Sequence, residues 1–191
     1  MTPLLILRHG PTAWNRVKKM QGRADLPLSE KGRGTVGGWS VPEEFRQFRW
    51  LSSPLIRAVQ TARLLGAEPT LEPCLIEMAW GEWEGRTFAE LRRDLGGTFE
   101  AQEARGVDFR PPGGESFRDV QNRLAPWLQG LSAPTIAVCH KGLIQAVYSM
   151  ATGWDMIAKP AEKLRDNMAH LFHVETGAPK VERMNIPLET K

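Results

Sequence analysis

Two uninterrupted apolar runs dominate the chain. Residues 3–7 (Pro-Leu-Leu-Ile-Leu) and 134–139 (Pro-Thr-Ile-Ala-Val-Cys) have the length of strands covered on both faces, as in a sheet sandwiched between helices. Each run stops at a polar tip, Arg8-His9-Gly10 after the first and His140-Lys141-Gly142 after the second. In open α/β sheets, ligand sites are built beyond the carboxyl ends of the strands. The pattern therefore predicts two histidines delivered to that edge.

Between the runs, polar punctuation and helical periodicity alternate. Ser29 is placed to cap a helix, although four glycines by position 38 weaken it. Residues 48–51 predict a second strand, and Ser52-Ser53-Pro54 opens a helix through Leu65 that Gly66 stops. A third short strand is predicted over 70–75, then a Trp- and Gly-rich loop over 79–85. Helical patterns follow at 87–95 and 98–105, a Pro-Gly break at 110–116, and helices at 117–130 and from 141 to 152. Residues 168–174 and 179–184 alternate as a final strand pair before a frayed tail. This order predicts a three-layer α/β/α fold around a mostly parallel central sheet, with the final edge strand free to run antiparallel. Residues 80–130 form a helical excursion over the sheet. No repeat or linker marks a boundary, so 1–191 is expected to be one domain.

Composition narrows the function classes. With 41% hydrophobic and 25% charged residues, the chain is neither disordered nor fibrous. A net charge of +3 is compatible with anionic ligands but too small and scattered for a nucleic-acid footprint. The longest basic cluster, Arg16-Val17-Lys18-Lys19, reads either as a solvated loop or as the neighbour of a phosphate pocket. Cys74 and Cys139 form neither a disulfide framework nor a CxxC pair, which fits a reducing cytoplasm. The run at 4–7 is too short for a signal peptide or a membrane span, and no other apolar segment approaches spanning length.

Phosphoryl transfer needs an in-line nucleophile, cationic or N–H donors around the equatorial oxygens, and a proton for the leaving alkoxide. A neutral histidine whose second ring nitrogen is fixed can be that nucleophile. Arg8-His9-Gly10 offers a bidentate guanidinium, an imidazole and a backbone that admits close approach. An isolated triplet of this kind reads equally well as a turn after a strand. Arg57, one turn into its helix, and His140, at the end of the second buried run, can converge on it. Other routes lack parts: the position six after Cys139 is Gln145 and six after Cys74 is Trp80, where a cysteine phosphatase needs Arg. No DxDx(T/V) strand end and no Walker loop exist.

Several ordered motifs resemble the histidine phosphatase superfamily, which includes cofactor-dependent phosphoglycerate mutases and many small phosphatases. They are Leu7-Arg8-His9-Gly10-Pro11-Thr12-Ala13-Trp14-Asn15, Gln21-Gly22-Arg23 through Gly32, and Ser52-Ser53-Pro54-Leu55-Ile56-Arg57-Ala58. Glu77 with Gly81-Glu82-Trp83-Glu84-Gly85, Pro112-Gly113-Gly114-Glu115-Ser116 and Val138-Cys139-His140-Lys141-Gly142 complete the set, from residue 4 to about 150. The resemblance implies a phosphohistidine at His9, a phosphoryl clamp of Arg8, Arg57 and His140, and Asn15, Gln21 and Gly22 completing the pocket. Glu77 would be the acid that protonates the leaving oxygen and then the base that activates water. No cofactor and no metal are required, and the substrate would be a small phosphorylated metabolite.

Lys141 departs from the family pattern, where Gly follows the second histidine; its ammonium would favour substrates with a second negative group or would simply face solvent. Pro11 replaces a common acidic residue. Mutases carry His-Gly-Asn and Arg-Arg-Ser where this chain has His140-Lys141-Gly142 and Arg92-Arg93-Asp94, which favours hydrolysis over mutase chemistry. A non-catalytic phosphate-binding protein is the third reading, although no clamp or acid residue is missing. Trp80 and Trp83 read as packing, Glu82 and Glu84 as solvated or structural, and the three-residue spacing of His170 and His173 points them to opposite strand faces. Sugar phosphates, nucleotides, phosphoglycerate and α-ribazole phosphate all remain open as substrates, and oligomeric state is not encoded legibly.

Overall fold

The computed structural model describes residues 1–190. Strand β1 (Thr2–Arg8) carries the first apolar run, and its side chains split between two cores. Leu4 and Ile6 enter one hydrophobic cluster, Leu5 and Leu7 the other, as strand alternation requires. Each is at most 2% exposed, so burial contributes about 1.5–3 kcal/mol per side chain.

A short helix α1 (Ala13–Arg16) and helix α2 (Glu30–Gly37) follow. Ser29 caps α2 as predicted, accepting Gly32 N–H at 3.0 Å. After β2 (Trp39–Ser40), strand β3 (Arg49–Ser52) leads into α3 (Ile56–Leu64), with Pro54 lying ahead of the helix. The predicted strand over 70–75 is cut to β4 (Thr70–Leu71). Pro73 has no N–H for a ladder, and the Glu72 carboxylate accepts Cys74 N–H at 3.2 Å, so residues 73–75 form a 3₁₀ turn instead. Helices α4 (Phe88–Leu95), α5 (Gly97–Glu103) and α6 (Phe117–Gln129) come next, α4 and α6 each opened by a capping box. Strand β5 (Thr135–Cys139) is buried throughout and passes into α7 (Lys141–Thr152).

The chain ends in β6 (Met168–Glu175), β7 (Ala178–Pro187) and β8 (Glu189–Thr190). The main sheet has the order β4-β3-β5-β1-β6-β7. Pairs β4–β3, β3–β5 and β5–β1 are parallel, whereas β6 is antiparallel to both β1 and β7. The strand that runs against the rest is thus β6, the inner member of the last hairpin, and the two-residue turn at 176–177 reverses the chain again, so the edge strand β7 runs with the parallel strands. The tail expected to fray pairs with β2 through β8. Helices α6 and α7 cover the face of the first cluster and α3 covers the second, which makes the three layers. No helix among the described residues is long and apolar enough to cross a membrane.

Candidate functional site

The register Arg8↔Cys139 between β1 and β5 puts residues 9 and 140 side by side at the carboxyl edge. His9 N–H donates to Cys139 O at 2.9 Å, and the two imidazole centroids are 5.2 Å apart. His9 Nδ1 lies 2.7 Å from Gly10 O, a carbonyl that can only accept. The Nδ1 tautomer is thereby fixed and Nε2 keeps its lone pair. Burial, then the charges of Arg8 and Arg57, hold the His9 pKa well below the ordinary histidine value. Gly10 N–H donates to Thr61 Oγ1 at 2.9 Å, and Thr61 donates back to Arg57 O at 2.7 Å, tying the tip of β1 to α3.

Arg57 is fully buried. Its Nη1 donates to Ala24 O at 2.7 Å and its Nη2 to Gly22 O at 2.8 Å, so the loop after α1 is folded onto α3 through one guanidinium. Gly22 adopts φ +52°, and a Cβ there would sit 2.0 Å from Glu84 Oε1. Glu84 accepts Arg23 N–H at 2.8 Å and Trp80 N–H at 3.3 Å with that same oxygen. It therefore joins two loops, in keeping with its structural reading.

Asn15 Oδ1 accepts Thr12 N–H at 2.8 Å, and the Thr12 hydroxyl is shared between Asn15 Oδ1 and Gln21 Oε1. Both bonds use the Asn15 oxygen and leave its amide nitrogen for the cavity. On the opposite wall, burial raises the pKa of Glu77. Its Oε1 accepts Met78 N–H at 2.9 Å and its Oε2 faces Gly142 N–H at 3.4 Å. A Cβ at Gly142 would lie 2.5 Å from Glu77 Oε1, so a larger residue there would displace this carboxyl from the start of α7. Arg123 of α6 donates to Ile76 O at 2.6 Å and to Cys74 O, and its Nε pairs with Glu115 at 3.2 Å. The Glu115 of the Pro-Gly-Gly-Glu motif also accepts Ala79 N–H at 2.9 Å, which clamps both sides of the Glu77 segment.

Three buried side-chain nitrogens have no hydrogen-bond partner among the described residues: Arg8 Nε, Arg57 Nε and His140 Nδ1. All belong to side chains gathered around His9. Buried donors left unpaired cost about 1–3 kcal/mol each, and such clusters are kept where a ligand satisfies them. A tetrahedral oxyanion beside His9 Nε2 has the charge and the lone pairs to do so.

Of the nine residues singled out from sequence, Arg8, His9, Asn15, Gln21, Gly22, Arg57, Glu77 and Lys141 line one cavity, and His140 packs against His9 behind it. Lys141 is exposed at its mouth, on the first turn of α7. Sequence reasoning missed two contributors. Asp166 pairs with Arg8 Nη1 at 2.6 Å from 158 residues away and carries no local motif. Ser53 sits 2.7 Å from His140 Nε2; its oxygen accepts Leu55 N–H at 3.3 Å, leaving its hydrogen for the ring. A hydroxyl that donates to Nε2 leaves the His140 proton on Nδ1, the ring nitrogen without a partner among the described residues. Burial holds this histidine neutral. His170 and His173 lie apart from the site and make separate contacts, to Asn185 N–H and Glu182.

Comparison with known proteins gives a consistent result. The sequence profile of the histidine phosphatase superfamily (branch 1) matches residues 4–187. A glucosyl-3-phosphoglycerate phosphatase of Mycobacterium tuberculosis is 35% identical over 162 residues, 75% of this chain and 72% of that protein. The chain spans about half the length of the first curated relatives it matches, mycobacterial proteins 31% identical over 184 residues. Among solved structures, a mycobacterial glucosyl-3-phosphoglycerate phosphatase in complex with VO3 superposes with TM-score 0.81 at 27% identity, covering 97% of this chain and all of that one. A phosphoglycerate mutase of Thermus thermophilus superposes with TM-score 0.75 at 30% identity, covering 96% and 98%.

Proposed function

Because the chain belongs to the histidine phosphatase superfamily, we propose that it hydrolyses phosphomonoesters of small metabolites through a phosphohistidine at His9, without a metal or cofactor. The observation that carries this reading is the trio of unpartnered buried donors around the fixed His9 ring. His9 Nε2 attacks phosphorus in line, the P–O bond to the alcohol breaks, and Glu77 gives its proton to the departing oxygen. Glu77 then takes a proton from water, which attacks phosphorus and breaks the P–N bond. Inorganic phosphate leaves and His9 is restored. The directions of the shifts match these roles: a lowered histidine pKa favours the free nucleophile, and a carboxyl pKa raised by burial favours the protonated acid.

Arg8, Arg57 and His140 stabilise the charge on the equatorial oxygens, with Asn15 and the Gln21-Gly22 loop completing the cradle. Asp166 is a positioning residue: by holding Arg8 Nη1 it directs Nε inward. The same reading treats 1–191 as one domain, places it in the cytoplasm in keeping with two unpaired cysteines, and makes residues 80–130 the cover of the site. Phosphate release from p-nitrophenyl phosphate and a panel of phosphorylated metabolites, with EDTA throughout, tests it. Wild type is expected to release phosphate and His9→Ala is not. Bisphosphoglycerate-dependent interconversion of phosphoglycerates without phosphate release would replace hydrolase by mutase.

A further inference from the structure

Arg8, His9, Asn15, Gln21, Gly22 and Arg57 account for only part of the cavity lining. The whole space is about 810 Å3, and beyond His9 its walls change character. Trp80, Phe88 and Phe109 come from the segment leading through α4 to α6, and Trp154, Met156 and Ile157 from the loop after α7. Trp80 stands edge-on to Phe88 and Phe109, with centroids 5.6 and 5.8 Å away, so the first wall is built as a unit. Phe88 is 37% exposed and Ile157 61% exposed, values that a purely structural role in the core does not call for. Among the charged side chains lining the cavity, Asp166 and Glu103 are paired with Arg8 and Arg92, while Lys18, Lys19 and Lys141 stand beside the apolar walls.

Resting on the phosphatase reading above, we propose that the alcohol released from His9 is bulky and presents an extended apolar or flat ring face to these two walls. Small polyol and three-carbon phosphates then fill the cradle but leave the walls wet, and are poor substrates. The occupant follows from continuity, because the apolar walls and His9 line the same cavity. Concave apolar walls around a few convergent polar groups are the usual form of a small-molecule site.

A series of straight-chain alkyl phosphates, from ethyl to octyl, tests this, since the leaving alcohols are chemically alike and only apolar area grows. Each methylene transferred from water to the walls raises kcat/KM by up to about fourfold. The proposal expects a steady rise along the series, and expects Trp80→Ala and Ile157→Ser to flatten it. Hydrolysis of ethyl phosphate with no rise overturns the proposal and leaves the phosphatase reading standing. A rise that both variants leave unaltered overturns the placement on these walls. If no ester, p-nitrophenyl phosphate included, is hydrolysed, the phosphatase reading fails and the proposal falls with it.

Discussion

Replacing Ser53 by Ala removes one oxygen that is fully buried behind the site. His140 is itself fully buried, and among the described residues its ring bonds to Ser53 alone, at 2.7 Å. The variant therefore leaves an imidazole with both nitrogens unpaired, at a cost of about 1–3 kcal/mol. For a chain of this size that lowers Tm by roughly 2–10 °C. The ring also loses the group that puts its proton on Nδ1, so the donor to the phosphoryl group is present only part of the time. A hydrogen bond to a charged group contributes about 1.5–3 kcal/mol, so complete loss of the donor lowers kcat/KM by about tenfold to 100-fold, and a tautomer mixture lowers it by a few-fold, in inverse proportion to the Nδ1–H fraction. The assay pairs steady-state kinetics and vanadate inhibition with ¹⁵N NMR of the histidine side chains. Wild-type His140 is expected as the neutral Nδ1–H tautomer, and Ser53→Ala as a mixture with weaker vanadate binding. A fall in Tm with kcat/KM, vanadate affinity and tautomer unchanged would refute the reasoning and leave Ser53 as packing alone.

The pH profile of kcat/KM is expected to be bell-shaped: its acid limb reports His9, which must be neutral to attack, and its alkaline limb reports Glu77, which must be protonated to donate. Glu77→Gln should abolish the alkaline limb and lower kcat for alkyl phosphates by about 10²–10⁴, and an alkaline limb that persists would remove Glu77 from the acid role. His170 has a pKa depressed to about 4 by burial, and its Nδ1 accepts Asn185 N–H only when unprotonated. Its folded-state pKa lies below the unfolded one, so its contribution is complete above pH ~6.5 and is lost as pH falls toward about 4. The loss amounts to about 3 kcal/mol over that window; urea titrations should show it, and His170→Gln should make the acid slope shallower by about one proton. Lys141→Gly should change the ratio of kcat/KM between substrates with and without a second negative group, and an unchanged ratio would place the ammonium outside substrate binding.

What can be read from the sequence follows the range of the interactions involved. The buried runs at 3–7 and 134–139 are legible because a strand covered on both faces needs unbroken apolar residues, and their polar tips locate the site's edge. Helix starts at Ser29 and Ser116 are legible because capping acts within three residues. The strand predicted over 70–75 runs too long because its apolar content says nothing of the effect of Pro73 on the ladder. The direction of β6 is set by its pairing with β1, over 160 residues away, and the pairing of β8 with β2 joins segments about 150 residues apart. Asp166 and Ser53 act through distant contacts, to Arg8 and His140: Asp166 lies in no motif, and Ser53 lies in one that does not reveal its partner 87 residues away. Both tryptophans of the Gly-rich loop read as packing from sequence; Trp83 is packing, at 5% exposed, whereas Trp80 also lines the cavity.

The central claim is that His9 carries the phosphoryl group between substrate and water. Rapid mixing of enzyme with p-nitrophenyl phosphate, followed by an alkaline quench and intact-mass measurement, tests it directly. A species heavier by one phosphoryl group is expected, located on His9 by peptide mapping, lost on exposure to acid, and absent from a folded His9→Ala variant. A label on any other residue, or full turnover by His9→Ala, would contradict it.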